Sequence, residues 1–317
     1  MTSRRLIRIK VLQLLYAYSK KENVTIAELE RDLLQSMSKS TDLYYTTLLL
    51  LTEIRRKAFL KIDAARNRRF NANHPDTRFI SNPIFDIIEK NQKFQQYILN
   101  NKISWNDDQE TIVYFYNKLL QWPTYQMYMQ KEDISFDTHK QLVLDMFTEL
   151  IAQDDIFFQM LEDKNLYWND DFEVVLSVVY KTLRHLQPET QPEDTIVYPI
   201  YKTGEDETFG RTLMRKAVLE YEENIQLIDQ FTRNWELERI SDMDKYIMTC
   251  AVSELKNFPT IPVKVTLDEY IEISKTYSSP KSGAFINGIL DKIVNQLKEN
   301  NQLTKMGRGL VDQSISK

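Results

Sequence analysis

Three arginines near the amino terminus have the type and spacing that best suit a chemical task, the binding of phosphate groups. If residues 4–18 form an α-helix, Arg4, Arg5 and Arg8 lie within an arc of about 100° at its start. Guanidinium groups bind phosphates through paired N–H donors and stack on unpaired bases, and the helix dipole favours an anion at this end. The pattern predicts a contact with single-stranded RNA, although a merely solvated helix end would show the same residues.

A second basic segment lies between residues 55 and 69 and contains a single acid, Asp63. Its seven basic residues are Arg55, Arg56, Lys57, Lys61, Arg66, Arg68 and Arg69. Residues 1–69 hold 15 Lys or Arg against 7 Asp or Glu, a net charge of +8. Because the whole chain has a net charge of −5, the other 248 residues carry a net charge of −13. A basic amino-terminal part fits a polyanionic partner. A chance imbalance and a solvated helix face are the alternatives.

The sequence does not predict an enzyme. Its three histidines, His74, His139 and His185, are far apart, and no phosphate-binding, zinc-protease or nucleophile-elbow motif occurs. The single cysteine, Cys250, excludes an internal disulfide or a CxxC metal site, and its apolar neighbours predict a buried position. We therefore expect no catalytic residue, cofactor or metal.

The elements that must position the arginines are predicted to be helices. Only 6 glycines occur in 317 residues, and long stretches contain neither Gly nor Pro, which favours an all-α fold. Apolar residues at helical spacing predict an amphipathic first helix. Thr25 and Glu28 form a capping box that opens a second helix, and a separate third helix is expected from Asp42 to about Arg69.

The middle of the chain contains a repeat. The tetrapeptide Trp-Asn-Asp-Asp starts at Trp105 and again at Trp168, each time before an apolar helical stretch, and Trp235 follows after a similar interval. Internal duplication of a helical hairpin explains this pattern; chance placement of Trp at helix junctions is the alternative. Residues 187–204 lack periodicity and are predicted to be a linker.

The last third of the chain predicts two helices joined by a short turn. A capping box of Thr266 and Glu269 is expected to open the first helix just beyond Pro262. The segment 280–283 is expected to end it, and the apolar stripe of the next helix begins at Phe285.

This part of the sequence resembles the carboxy-terminal half of the NusB family of transcription antitermination factors. The matching stretches are Ile261–Val265, Asp268–Lys275 and Phe285–Lys292. Further similar stretches are Arg4–Tyr16, Asp206–Leu213, Trp235–Ile240 and Ala251–Leu255, so that the resemblance covers roughly residues 3–35 and 205–297.

The resemblance implies an all-α, NusB-like helical bundle at residues 201–300. A basic first helix with an enlarged helical region precedes it at residues 1–200, and a flexible tail follows at residues 301–317. It also implies binding of a boxA-like single-stranded segment of nascent ribosomal RNA. The implied partners are NusE, a ribosomal protein of the small subunit, and the RNA polymerase antitermination complex.

The resemblance also assigns roles to single residues. Lys281, Phe285 and Asn287 join Arg4, Arg5 and Arg8 as implied RNA contacts, and Tyr16, Tyr18 and Glu254 are candidates for the protein partner. Five positions depart from the usual family pattern, two of them being Pro280 and Ala284. Leu6 stands where a third arginine is common, Ile9 where an acid is common, and Lys281 where an acid is also common, which should favour RNA.

The sequence predicts a cytoplasmic protein, because no apolar run approaches the ~18 residues of a membrane span and no signal peptide is recognised. A different class of function remains open, namely a helical-repeat scaffold that binds protein without specific RNA binding. RNA affinity measured against salt concentration distinguishes the two.

Overall fold

The computed structural model describes residues 3–21, 23–68, 76–132, 134–202, 204–232 and 240–313. Within these ranges the fold is all-α, as expected, with fourteen α-helices and no strand. The helices are α1 Ser3–Tyr18, α2 Ile26–Arg68, α3 Pro83–Lys90, α4 Gln92–Asn100, α5 Gln109–Gln121, α6 Pro123–Gln130, α7 Phe136–Asp145, α8 Asp155–Lys164, α9 Phe172–His185, α10 Glu205–Leu219, α11 Tyr221–Thr232, α12 Asp242–Asn257, α13 Val263–Tyr277 and α14 Ser282–Glu299. None of the described helices is long and apolar enough to cross a membrane.

The chain forms two compact units. Unit 1 consists of residues 1–37 and 201–317, and unit 2 consists of residues 38–200. The first helix, α1, therefore shares a unit with the carboxy-terminal helices. The expected linker contains the second division between the units, and its described residues, 187–202 and 204, contain no helix.

The long helix α2 begins at the expected capping box. The Thr25 backbone N–H donates to Glu28 Oε2 at 2.9 Å, and the Glu28 N–H donates to Thr25 Oγ1 at 3.3 Å. The prediction of a separate third helix is wrong, because α2 continues without interruption to Arg68. No Gly or Pro stands between Ile26 and Arg68, so nothing in the backbone chemistry ends the helix.

In unit 2, both repeated tryptophans bond to the backbone of α2. Trp105 Nε1 donates to the Thr46 carbonyl at 3.0 Å, and Trp168 Nε1 donates to the Lys39 carbonyl at 2.8 Å. The two acceptors are seven residues apart, which is two turns of one helix. Each tryptophan lies at a short 3₁₀ turn, before α5 and α9 respectively. Trp235, the third member of the pattern, lies outside the described residues, and duplication stays a prediction.

Unit 1 is organised around α1, whose middle is buried on all sides rather than amphipathic. All seven side chains from Leu6 to Leu12 are buried, including those of Arg8 and Lys10. α1 packs against α10 and α12, and α12 packs in turn against α13 and α14. The approach of α10 depends on Gly210, because a Cβ there would lie 2.9 Å from Ile7 Cγ2 and 3.3 Å from Leu33 Cδ2.

A buried ion pair joins α1 to α12. Arg8 Nε donates to Glu254 Oε2 at 2.7 Å, and Arg8 Nη2 donates to Glu254 Oε1 at 2.8 Å. Burial would lower the pKa of Arg8, but the attraction of Glu254 outweighs burial and raises it. The Arg8 guanidinium also lies over the rings of Phe209 and Tyr270, at 5.2 and 5.9 Å from their centroids.

The expected capping box at Thr266 is wrong because this residue serves the same ion pair. α13 begins at Val263, directly after Pro262, so Thr266 lies inside the helix and not at its cap. Its hydroxyl donates to Glu254 Oε1 at 2.8 Å, and the Tyr270 hydroxyl lies 3.4 Å from Glu254 Oε2. The Glu254 carboxylate thus receives donors from two helices, α1 and α13.

Substitution of Gly210 tests the close helix packing in unit 1. We expect Gly210→Ala to lower the free energy of unfolding by about 1–3 kcal/mol, because the stiff Ile7 side chain must move. The control is Gly288→Ala in α14, where an added Cβ meets nothing within 4 Å. It should raise that free energy by about 0.5–1 kcal/mol through helix propensity. Urea denaturation measures both, and equal effects of the two substitutions would contradict the packing argument.

Substitution of Arg8 tests the buried ion pair. Arg8→Met should lower the free energy of unfolding by about 3–5 kcal/mol, because Glu254 is then left buried without a counter-charge. The double variant Arg8→Met/Glu254→Met should recover much of this loss. Arg31→Met is the control, since Arg31 pairs with Asp32 at an exposed site and should contribute less than about 1 kcal/mol. A loss at Arg8 no larger than at Arg31 would show that the pair does not stabilise the unit.

Candidate functional site

The first two of the predicted arginines lie at the partly exposed start of α1, in unit 1. The side chains of Arg4 and Arg5 are 38% and 24% exposed. Arg4 Nε donates to Asp206 Oδ1 on α10 at 3.2 Å. Arg5 donates through Nε and Nη2 to both oxygens of Glu269 on α13, at 2.6 and 3.1 Å, and this hydrogen bonding raises the pKa of Arg5. Both guanidiniums are therefore held in place by carboxylates, while part of each side chain faces solvent.

Arg8 does not share this exposure. It is 2% exposed and fully engaged by Glu254, which is itself completely buried. A direct RNA contact through Arg8 therefore disagrees with its position, and so does a partner-binding role for Glu254. The sequence pattern could not reveal this, because a buried arginine and an exposed one have the same spacing on a helix. A carboxylate 246 residues away determines which of the three is buried.

Two polar contacts fix how α1 and α13 lie beside each other. Arg5 bonds Glu269, and Gln13 Nε2 donates to the Tyr277 hydroxyl at 3.3 Å. Both pairs have the same sequence separation of 264, so the two helices run in parallel. Eight residues of helix span about 12 Å. Arg5 therefore lies about 12 Å along α1 from the level of Tyr277, where α13 ends and the turn toward α14 begins.

The turn before α14 contains the other implied RNA contacts. The helix begins at Ser282, whose hydroxyl donates to Asp244 Oδ2 at 3.1 Å and so ties the turn to α12. Lys281 is exposed just before it. Phe285 is half-buried and packs against the apolar core of unit 1, while the Asn287 amide donates to Asp291 Oδ2 at 3.3 Å. Lys281 thus faces solvent, whereas Phe285 presents only part of its ring.

The tyrosines of α1 differ in their surroundings. Tyr18 is half-buried and its hydroxyl donates to Asp32. Tyr16 is 39% exposed and packs edge-to-face on Tyr246 of α12, with 6.1 Å between ring centroids. Tyr246 stacks in turn on Tyr221 of α11, at 5.5 Å. Tyr246 and Tyr221 were not predicted, because no spacing connects them to Tyr16. Together the three rings form a tyrosine cluster, composed of Tyr16, Tyr221 and Tyr246, at the surface of unit 1.

The second basic segment belongs to unit 2. Arg55 is committed to structure, since it bonds Asp86, Glu89 and the Ile80 carbonyl at 2.6–2.7 Å. Lys61 and Arg66 are exposed, and the side chains of Arg68 and Arg69 lie outside the described residues. The segment and the α1 arginines are thus parts of different units.

The residues considered for catalysis are dispersed. Cys250 is a fully buried free thiol, and burial raises its pKa well above the ordinary value. His139 bonds the Tyr128 hydroxyl at 2.7 Å, and His74 lies outside the described residues. Across the described part of the chain, no group of three His, Cys, Asp or Glu side chains is arranged to hold a metal ion.

Known proteins resemble this chain over the carboxy-terminal part of unit 1 and the end of unit 2. The sequence model of the NusB family matches residues 175–295. A transcription antitermination protein NusB of Salinibacter ruber is 38% identical over 113 residues, which are 36% of this chain and 71% of the relative. No solved structure gives a significant match.

Two further relatives carry the same name and match over shorter stretches. The NusB of Chloroherpeton thalassium is 46% identical over 94 residues, 28% of this chain and 44% of the relative. The NusB of Dictyoglomus turgidum is 42% identical over 87 residues, 27% of this chain and 58% of the relative. The matched family region, 175–295, includes Glu254, Glu269 and the turn before α14, and the structure adds α1 to it through Arg5 and Arg8. The chain belongs to the NusB family of transcription antitermination proteins, and it is longer than these relatives.

Proposed function

We propose that this protein binds a boxA-like single-stranded segment of nascent ribosomal RNA, together with NusE, and so helps RNA polymerase resist termination. It would act in the cytoplasm as a binding protein, without catalysis or a cofactor. The proposal is supported chiefly by the partly exposed arginines at the start of α1, in a chain whose relatives are named transcription antitermination proteins.

The start of α1 suits an RNA backbone for two reasons. Arg4 and Arg5 are oriented by Asp206 and Glu269, which limits the side-chain entropy lost when a phosphate binds. The positive end of the α1 dipole lies at the same place. Arg8 supports this site indirectly, because its bond to Glu254 fixes α1 against α12 and α13.

The turn before α14 provides a second contact in this proposal. Lys281 would neutralise a phosphate, and Phe285 would contact an unpaired base with the exposed part of its ring. Asn287 lies one helical turn from the turn itself and would hydrogen-bond a base or sugar. The ~12 Å step along α1 between Arg5 and the end of α13 implies that separate nucleotides of one strand reach the two contacts.

The tyrosine cluster is the surface we propose for NusE. Tyr16 has an exposed ring whose inner edge is fixed by Tyr246, and rigid aromatic rings are frequent anchors in protein interfaces. Tyr18 contributes less, since its hydroxyl is already bonded to Asp32.

RNA affinity measured against salt tests the RNA proposal. With a labelled boxA-like RNA, Arg4→Gln/Arg5→Gln should reduce the slope of log K against log salt by about 1.4, because each lost phosphate contact removes about 0.7. Kd at 0.1 M salt should rise about 10- to 30-fold, because the ionic contribution to the binding free energy vanishes near 1 M salt. Fluorescence anisotropy provides both values.

The matched control removes two positive charges elsewhere in unit 1, as Lys298→Gln/Arg308→Gln, both at exposed positions. It should leave the slope nearly unchanged. If the two double variants weaken binding equally, RNA does not bind at the start of α1. If wild-type protein shows no salt-dependent RNA binding, the protein-binding scaffold becomes the better description.

Binding of purified NusE tests the tyrosine cluster. Tyr16→Ser should weaken the complex by roughly 30-fold or more, as expected for an aromatic anchor worth about 2 kcal/mol. Tyr180→Ser in unit 2 is the control, because Tyr180 is 38% exposed against 39% for Tyr16. Isothermal titration calorimetry measures both affinities, and similar values would remove Tyr16 from the interface.

A further inference from the structure

The last part of α2 has no role in the proposed function, although its side chains are unusually exposed. We call residues 56–66 the basic arm; they belong to unit 2. From Phe59 to Arg66, seven of eight side chains are exposed, and Ile62 alone is half-buried. A helix segment with so little covered surface gains little from tertiary packing. Its basic side chains therefore face solvent or an external partner and not the core of unit 2.

Of the cations in the basic arm that form no ion pair with a described residue, Lys61 and Arg66 are exposed and Lys57 is half-buried. Within the described residues, Lys57, Lys61 and Arg66 form no ion pair, whereas the preceding Arg55 is held by Asp86 and Glu89. Arg56 forms only a local pair with Glu53, one turn earlier on the same helix. Three cations without a described ion-pair partner, within ten residues of one helix, favour a polyanion.

An aromatic ring and an open cleft accompany these cations. Phe59 is 51% exposed, and it lines a cleft of about 630 Å³ together with Arg56, Gln95 and Ile98. This volume is within the range of sites for small organic groups. The two carboxylates in its wall, Glu53 and Glu89, are occupied by Arg56 and Arg55 respectively. The Gln95 Nε2 donates to the Glu89 carbonyl at 2.8 Å, so the cleft offers a ring face, the Gln95 amide oxygen and no unpaired acid in its wall.

We propose that the basic arm is a second contact for single-stranded nucleic acid, independent of the site on unit 1. Lys57, Lys61 and Arg66 contact phosphates of a strand that passes around the arm. Phe59 stacks on an unpaired base that enters the cleft, where the Gln95 amide oxygen can accept from the base. Stacking on an exposed ring and neutralisation of phosphates are sequence-tolerant, so this contact binds RNA without a strict sequence requirement. It adds to the proposed function and does not depend on it.

The arrangement of the arm disfavours a lipid surface. At 100° per residue, Arg56 falls between Phe59 and Leu60 around the helix, so the exposed apolar residues do not form one face. Helices that lie in membrane interfaces need a continuous apolar face opposite the charged one. Around the same helix Arg66 falls about 20° from Phe59, whereas Lys57 and Lys61 fall about 160° from it. A strand stacked on Phe59 therefore meets Arg66 beside the ring and reaches the two lysines by passing around the helix.

The experiment measures binding of a labelled 20-nucleotide oligouridine to the full chain at several salt concentrations. The variant Lys57→Gln/Lys61→Gln/Arg66→Gln should reduce the salt slope by about 2 and raise Kd roughly 10- to 100-fold at 0.1 M salt. The matched control, Lys131→Gln/Lys181→Gln/Arg184→Gln, removes the same charge from exposed positions of unit 2 and should change the slope little. Equal changes in the two triple variants would overturn the proposal.

A second substitution tests the ring without changing the charge. Phe59→Leu keeps an apolar side chain but removes the stacking face, and it should raise Kd at least about fivefold, whereas Leu60→Ala should not. Wild-type affinity of Phe59→Leu would overturn the stacking role. Circular dichroism confirms folding, which these exposed positions should not disturb.

The same titrations separate this proposal from the site on unit 1. A loss of affinity in Arg4→Gln/Arg5→Gln alone would overturn the arm and leave the proposed function intact. A loss of oligouridine affinity in the arm variant alone would support the arm, and the α1 site would be rejected only if Arg4→Gln/Arg5→Gln also left the affinity for the boxA-like RNA unchanged. If the arm variant keeps its RNA affinity but loses binding to phosphatidylserine vesicles, the arm binds lipid and the proposal fails.

Discussion

The ion pair between Arg8 and Glu254 is the interaction on which the rest of unit 1 depends. It lies where α1, α12 and α13 meet, and Glu254 receives donors from both neighbouring helices. A buried charge must be compensated by good geometry, because leaving one partner alone is strongly destabilising. The pair therefore allows only one rotation of α1 about its axis. That rotation leaves Arg4 and Arg5 at the partly exposed edge and places Arg8 inside.

The same constraint explains which features of the fold could be predicted. Composition and periodicity predicted the all-α class, and the capping box at Thr25 marked the start of α2 within one residue, because these signals are local. The second apparent capping box, at Thr266 and Glu269, was misleading. The Thr266 hydroxyl bonds Glu254 and the Glu269 carboxylate bonds Arg5. Partners so distant in sequence cannot be recognised from local residue spacing.

The candidate site was predictable to a similar degree. The arginines of α1 and the turn before α14 could be named from residue types and from the family resemblance. The burial of Arg8 and Glu254, and the contacts of Tyr246 and Tyr221 beyond Tyr16, required the tertiary structure. Conversely, the exposure of Phe59 could not be predicted, because a phenylalanine on a helix ordinarily faces a core.

The two chain segments that form unit 1 are separated in sequence by the whole of unit 2. This order has a consequence for synthesis on the ribosome. Arg8 leaves the ribosome 246 residues before Glu254. At roughly 5–20 residues per second, α1 waits about 12–50 s for the partner of its buried charge. Unit 2 is continuous in sequence and completes its chain within that interval. A segment with the buried residues Leu6–Leu12 thus remains uncovered while the middle of the protein folds, so its protection during translation matters to the yield of native protein.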